Sequence, residues 1–144
     1  MKPKILYHGS SDKLRGNKLN PSQGEDSEER PENRLLAVYA TDRKDLAIVM
    51  GILGCKDVVG GSIGSYKNGK LDAKIYGDFP KQKFIHLHHL PIKTFKQTKI
   101  DKHQFVSSTA VKPNKTEEIK IKDYLHLLEV GTKKETAAWL KKYG

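Results

Sequence analysis

Cysteine is almost missing from this chain. Cys55 is the only one in 144 residues, so no disulfide can form within it. That usage fits a reducing compartment, and the chain is expected in the cytoplasm. No apolar run approaches the roughly 18 residues that a membrane-spanning helix needs, so no membrane partner is expected. The opening Met1-Lys2-Pro3-Lys4 is charged and leads straight into a strand-like stretch, unlike a secretory leader. Arginine is scarce and one-sided, with none after Arg43. The second half therefore lacks the planar fork that grips phosphate in a bidentate way.

Acid is also thin in that half. Residues 1–80 hold 13 Lys and Arg against 11 Asp and Glu, whereas residues 81–144 hold 14 against 6. The formal net charge of +10 thus sits almost wholly in the second half. Such a field concentrates anionic partners, nucleic acid or a dinucleotide among them. The plainer reading is a lysine-rich solvated surface, since these charges are spread singly.

What is present suits one domain, residues 1–144, with its own modest core. Ile5-Leu6-Tyr7 reads as the start of a buried strand that delivers His8, Gly9 and Ser10 to its end. Gly9 has no Cβ to hold a ligand away from the backbone. Asp12 to Gln23 reads as a loop with one short helical turn. Residues 24–33 are acidic, with no apolar side chain, and are expected to form a mobile loop. Leu35 to Ala40 is a second apolar run, read as a strand. Thr41-Asp42 would cap a helix over 43–53, with Leu46, Val49, Met50 and Leu53 as its apolar stripe.

Glycines 60, 61 and 64 lack the lysine of a phosphate-binding loop, so neither that loop nor a dinucleotide fingerprint is read there. Asn68-Gly69 marks a hairpin, with Leu71, Ala73 and Ile75 on one face of its second arm. Residues 83–90 alternate, putting Phe84, His86 and His88 on one face and Ile85 and Leu87 on the other. Two histidines so spaced can ligate a metal, but no carboxylate or cysteine lies nearby to complete a site. Solvent-facing imidazoles on a half-exposed strand are the plainer reading, and no metal is assigned. Gln104 to Ser108 reads as a strand. Ile119 and Ile121 alternate with lysines in an edge strand. Asp123 to Leu128 reads as a helical turn or two, and Thr132-Lys133-Lys134-Glu135 is a capping box opening a final helix in which Ala137, Trp139 and Leu140 provide apolar contacts. Six or seven strands with hairpin connections predict an α+β fold with antiparallel pairing.

Three stretches stand in a suggestive order: Leu6-Tyr7-His8-Gly9-Ser10, Val38-Tyr39-Ala40-Thr41-Asp42 and His103-Gln104-Phe105-Val106. Together they resemble the His-Tyr-Glu signature of the diphtheria-toxin and poly(ADP-ribose) polymerase branch of the ADP-ribosyltransferases, over about residues 4–130. The resemblance implies two small antiparallel sheets forming a split β-sandwich with a few flanking helices, and an NAD cleft between the sheets. It implies NAD as co-substrate, bound by His8, Gly9, Ser10 and Tyr39. His8 would hold a ribose, Gly9 would pair through its backbone with the nicotinamide amide, and Tyr39 would lie against the nicotinamide ring. His8, Tyr39 and Gln104 would form the catalytic set. Losing nicotinamide passes through an oxocarbenium-like state, for which such clamps are suited.

Gln104 stands where that family has glutamate. An amide can bond a hydroxyl but supplies neither a negative charge nor a base. Transfer of ADP-ribose to a macromolecule is therefore expected to be weak, absent or served by another carboxylate, with Glu117 and Glu118 nearest. The helix after Tyr39 also offers Ile48, Val49 and Met50 where relatives often place a second aromatic. The rival expectation is a non-catalytic basic module on the same fold, holding nucleic acid or a protein. A transferase acting on RNA 2′-phosphate ranks below both, because the second half has no arginine to grip phosphates.

Overall fold

The computed structural model describes residues 4–24, 31 and 35–144. Along the chain run β1 (Ile5–Ser10), β2 (Ser22–Gln23), β3 (Leu36–Thr41), α1 (Lys44–Leu53), β4 (Gly60–Lys67), β5 (Lys70–Tyr76), β6 (Phe84–Pro91), β7 (Lys96–Gln97), β8 (Gln104–Ser107) and β9 (Lys115–Lys120). A 3₁₀ segment (Ile121–Leu127), β10 (Glu129–Val130) and α2 (Lys133–Tyr143) complete it. The acidic stretch 24–33 falls outside the described residues, save Gly24 and Pro31.

The architecture is α+β with two small sheets. The larger has the order β7-β8-β3-β1-β6-β9, with β2 beside β3; the smaller is β10-β5-β4. Pairing is antiparallel throughout the larger sheet, as hairpin spacing predicts. The smaller sheet departs from that expectation, because β10 lies parallel to β5, Glu129 beside Lys74 and Val130 beside Ile75. The 3₁₀ segment and its exit carry the chain back along β5, a connection that local turn chemistry does not reveal.

The Asn68-Gly69 hairpin forms as read. Both residues have positive φ, 53° and 77°, and Lys67 faces Lys70 across the turn. Leu71, Ala73 and Ile75 are buried, the face that alternation selects. They join α1, Ile85, Leu87 and Ile119 in one core. A second core gathers Leu6, Val38, Ala40, Leu90, Phe95, Phe105 and Val111 on the opposite face of the larger sheet.

Four local expectations fail for tertiary reasons. No helical turn occurs in Asp12–Gln23; Leu19 instead bridges Val111, 92 positions away, by paired backbone bonds of 2.8 and 2.9 Å. Helix α1 starts at Lys44, with Arg43 at its N-cap position and no side-chain cap, because Thr41 is still in β3. Its buried residues are Leu46, Ala47, Ile48, Val49, Gly51 and Ile52, whereas Met50 stays 47% exposed. The helix is wedged between the sheets, so its buried arc is wider than one amphipathic stripe. Finally, α2 has its capping box but no buried residue. Leu140 and Ala137 face outward, and Trp139 alone makes ring contact with the small sheet, at 5.8 Å from Tyr76.

The glycines of β4 make room for that contact. A Cβ on Gly60 would come within 2.5 Å of the Trp139 ring, and one on Gly61 within 2.6 Å of Leu53. No helix among the described residues is long and apolar enough to cross a membrane.

Candidate functional site

The three stretches carrying the resemblance fold onto three neighbouring strands. In the order β8-β3-β1, Gln104 faces Thr41, and Thr41 faces Tyr7. Tyr7, Thr41 and Gln104 therefore form one row across the sheet, with His8 one residue from that row and Tyr39 two. Residues directly opposed in a ladder share a face, and neighbours along a strand do not. Tyr39 and Gln104 accordingly lie on the α1 side of the sheet. His8 starts from the other side, that of Leu6.

The His8 ring spans the seam between β1 and β3. Its Nδ1 is 2.6 Å from the Tyr39 carbonyl oxygen. A carbonyl only accepts, so Nδ1 carries the proton. Burial lowers the His8 pKa, partly offset by that bond to Tyr39. The ring is thus neutral at pH 7 and presents Nε2 as an acceptor.

Behind His8 stands His88, paired with it across β1 and β6, the rings stacked at 6.1 Å and 24°. His88 is fully buried, which overturns the expectation of a solvent-facing imidazole. Its Nδ1 meets Thr116 Oγ1 at 2.8 Å, while its Nε2 is buried with no hydrogen-bond partner among the described residues. Burial first, then the neighbouring His8 and His86, push its pKa down to about 4. Among the described residues no group of three or more His, Cys, Asp or Glu is arranged to hold a metal.

Gly9 has a structural employment. A Cβ there would sit 1.9 Å from the Ala47 carbonyl oxygen of α1. Gly51 answers from the helix, where a Cβ would come 2.7 Å from Ile85 Cδ1 and 3.3 Å from Gly9. Helix and strand touch backbone to backbone, a contact that only paired glycines permit. Gly51 had no sequence signal beyond being a glycine inside a helix. Ser10 Oγ donates to the Asp12 carbonyl at 3.0 Å, closing the turn after β1. Tyr39 is half-buried and donates its hydroxyl to the Leu35 carbonyl at 2.9 Å; burial raises its pKa.

Gln104 is half-buried, and its Oε1 accepts from Thr98 Oγ1 at 2.9 Å. The amide is held from β7's flank, a polar role that a glutamate could equally fill. Neither alternative carboxylate can replace it. Glu117 and Glu118 are on β9, four strands from β8 in the sheet. At about 4.8 Å per strand that is roughly 19 Å. Glu117 is also engaged, with His89 at 2.5 Å and Lys44 at 3.5 Å, and the His89 bond chiefly holds its pKa low.

A polar network at the start of α1 escaped the sequence reading. Asp42 Oδ1 lies 2.8 Å from His103 Nδ1, and Tyr66 donates to Asp45 at 2.8 Å. The Arg43 guanidinium lies 4.1 Å from the Tyr66 ring centroid, and His103 meets the same ring edge-on at 5.4 Å. Burial, then Asp45, push the Tyr66 hydroxyl pKa well up, so it remains a donor. Asp42 and His103 were both within the quoted stretches, but 61 positions of separation hid their pairing.

Compared with known proteins, the chain matches no family model, no curated protein and no solved structure.

Proposed function

We propose that this chain is an NAD-binding, ADP-ribosyltransferase-like protein, transferring ADP-ribose to a macromolecule weakly or not at all because Gln104 replaces the expected glutamate. One observation carries the reading: the stretches around His8, Tyr39 and Gln104, with His8 and Gln104 96 positions apart in sequence, occupy three adjacent strands, and His8 is bonded to the backbone of Tyr39.

In this reading the dinucleotide reaches both faces of the sheet at the β1–β3 seam: His8 Nε2 accepts from a ribose hydroxyl on the side of Leu6, and the Tyr39 ring lies against nicotinamide on the α1 side. The Gly9 backbone and Ser10 meet the carboxamide, and Ser10 must first release the Asp12 carbonyl. Gln104 bonds the second ribose without stabilising positive charge on its anomeric carbon. The anionic electrostatic contribution to the oxocarbenium-like state is therefore missing.

The test is NAD titration by calorimetry, followed by an assay of nicotinamide release. Binding with little release supports the proposal, and no binding at millimolar NAD overturns it. Gln104→Glu is expected to raise nicotinamide release at least tenfold, about 1.4 kcal/mol of transition-state stabilisation. No gain, with NAD binding intact, would remove Gln104 from the reacting centre.

A further inference from the structure

We infer that the groove between the start of β6 and the 3₁₀ segment binds single-stranded nucleic acid without sequence preference. The groove has a volume of about 570 Å³ and is lined by Lys81, Lys83, Lys120 and Lys122 around Phe79 and Phe84. No carboxylate lines it. None of the four lysines makes an ion pair among the described residues, and all four are exposed. Three other lysines are ion-paired among the described residues: Lys44 with Glu117, Lys67 with Asp72 and Lys74 with Glu135.

The arrangement follows from the pairing of β6 with β9. Phe84 faces Lys120 across β6 and β9, so ring and ammonium stem rise side by side. Ile121 turns inward between Lys120 and Lys122, and its N–H donates to the Lys83 carbonyl at 2.9 Å. Lys81 N–H donates to Asp57 Oδ2 at 2.9 Å. Gln82 Nε2 donates to the Ser11 and Phe84 carbonyls at 3.0 and 2.8 Å. The walls are therefore pinned by bonds to the main chain and to the Gln82 and Asp57 side chains, while the charged ends stay available. Phe84 keeps 41% of its surface exposed at this charged rim.

Aromatic faces among unpaired cations suit a polymer that offers flat bases and regularly spaced phosphates. A flat bilayer surface does not reach the floor of a concavity, whereas a flexible strand does. Lysine gives point charges rather than forks, so the phosphate contacts carry affinity without reading sequence. Gln82 ties the groove to Ser11, just past β1, so a bound strand would pass the end of the His8–Ser10 segment. The inference does not rest on the NAD reading, and its test contains no NAD.

The experiment is fluorescence anisotropy with a labelled oligothymidine of about fifteen nucleotides, across a salt series. Binding should weaken steadily with salt. Lys83→Ala combined with Lys120→Ala should weaken it roughly tenfold and shrink the log–log salt slope by about 1.4. Phe84→Leu keeps an apolar side chain and loses the aromatic face; it should weaken binding several-fold with the slope unchanged. Alanine at Lys133, Lys134 and Lys141 of α2 should leave affinity within twofold. Wild-type affinity in the groove variants overturns the proposal, as does loss confined to the α2 variant. Wild-type affinity in Phe84→Leu overturns single-stranded nucleic acid as the occupant. Groove-dependent binding of phosphatidylserine vesicles or polyglutamate, with none of oligothymidine, overturns it as well.

Discussion

The seam between β1 and β3 and the lysine groove beside β6 differ in how far their polar groups are already spent. At the seam, His8, Ser10, Tyr39 and Gln104 each hold a partner within the chain, and helix α1 covers Gly9. In the groove, none of the four ammonium groups makes an ion pair among the described residues. The seam is conspicuous in sequence because its residue types are rare and clustered. The groove is inconspicuous because lysine is common everywhere in this chain. Residue type announces chemistry, but unspent hydrogen-bonding and charge capacity is what a ligand can use.

The sharpest way to break that contrast is Gly9→Ala. If Gly9 served only ligand approach, the substitution would leave stability alone. With the Ala47 carbonyl 1.9 Å from the new carbon, α1 must shift off β1. A loss of about 3 kcal/mol or more is expected in urea denaturation, read as a lower transition midpoint.

Next in size is the response to acid. His88 has an ordinary pKa of 6.5 when unfolded and about 4 in the folded chain. Between those values the unfolded chain binds more protons, so stability is complete above pH 6.5 and falls as pH drops towards 4. The full loss is about 3 kcal/mol by linkage, and His8 adds in the same direction. His88→Leu should flatten most of that slope in denaturation curves taken from pH 7 to 4. An unchanged slope would mean that His88 is not held neutral by its surroundings.

Smaller effects belong to the periphery. Thr132→Ala removes one half of the capping box and should cost about 1 kcal/mol, read as faster amide exchange confined to the start of α2. Because α2 buries no residue, the transition of the rest should move little. The groove variant Lys83→Ala with Lys120→Ala should leave the melting midpoint nearly unchanged, within about 0.5 kcal/mol. A large loss there would show that these lysines are structural, and the contrast with the seam would fail.

Much of the local structure was legible. Asn68-Gly69, the buried face of β5, the alternation of β6 and the Thr132 capping box each depend on a few adjacent residues, whose φ preferences and side-chain periods act over short range. Reading failed where distance mattered. Met50 belongs by spacing to a helical stripe, yet Ile48 and Ile52 are buried instead, because sheets press α1 from more than one direction. His88 belongs by period to a polar face, yet burial is total, because the paired strands on either side and Thr116 enclose it.

The same division runs through the site. Order and residue type along the chain were enough to nominate His8, Tyr39 and Gln104, and to expect a handicap where an amide stands for a carboxylate. Strand adjacency, the proton position on His8, the packing duty of Gly9 and the gathering of four lysines around two phenylalanines came only from the tertiary arrangement. Side-chain chemistry is a property of one residue and survives in a linear text. Protonation, burial and unspent valence are properties of neighbours, and those neighbours meet only when the strands are laid side by side.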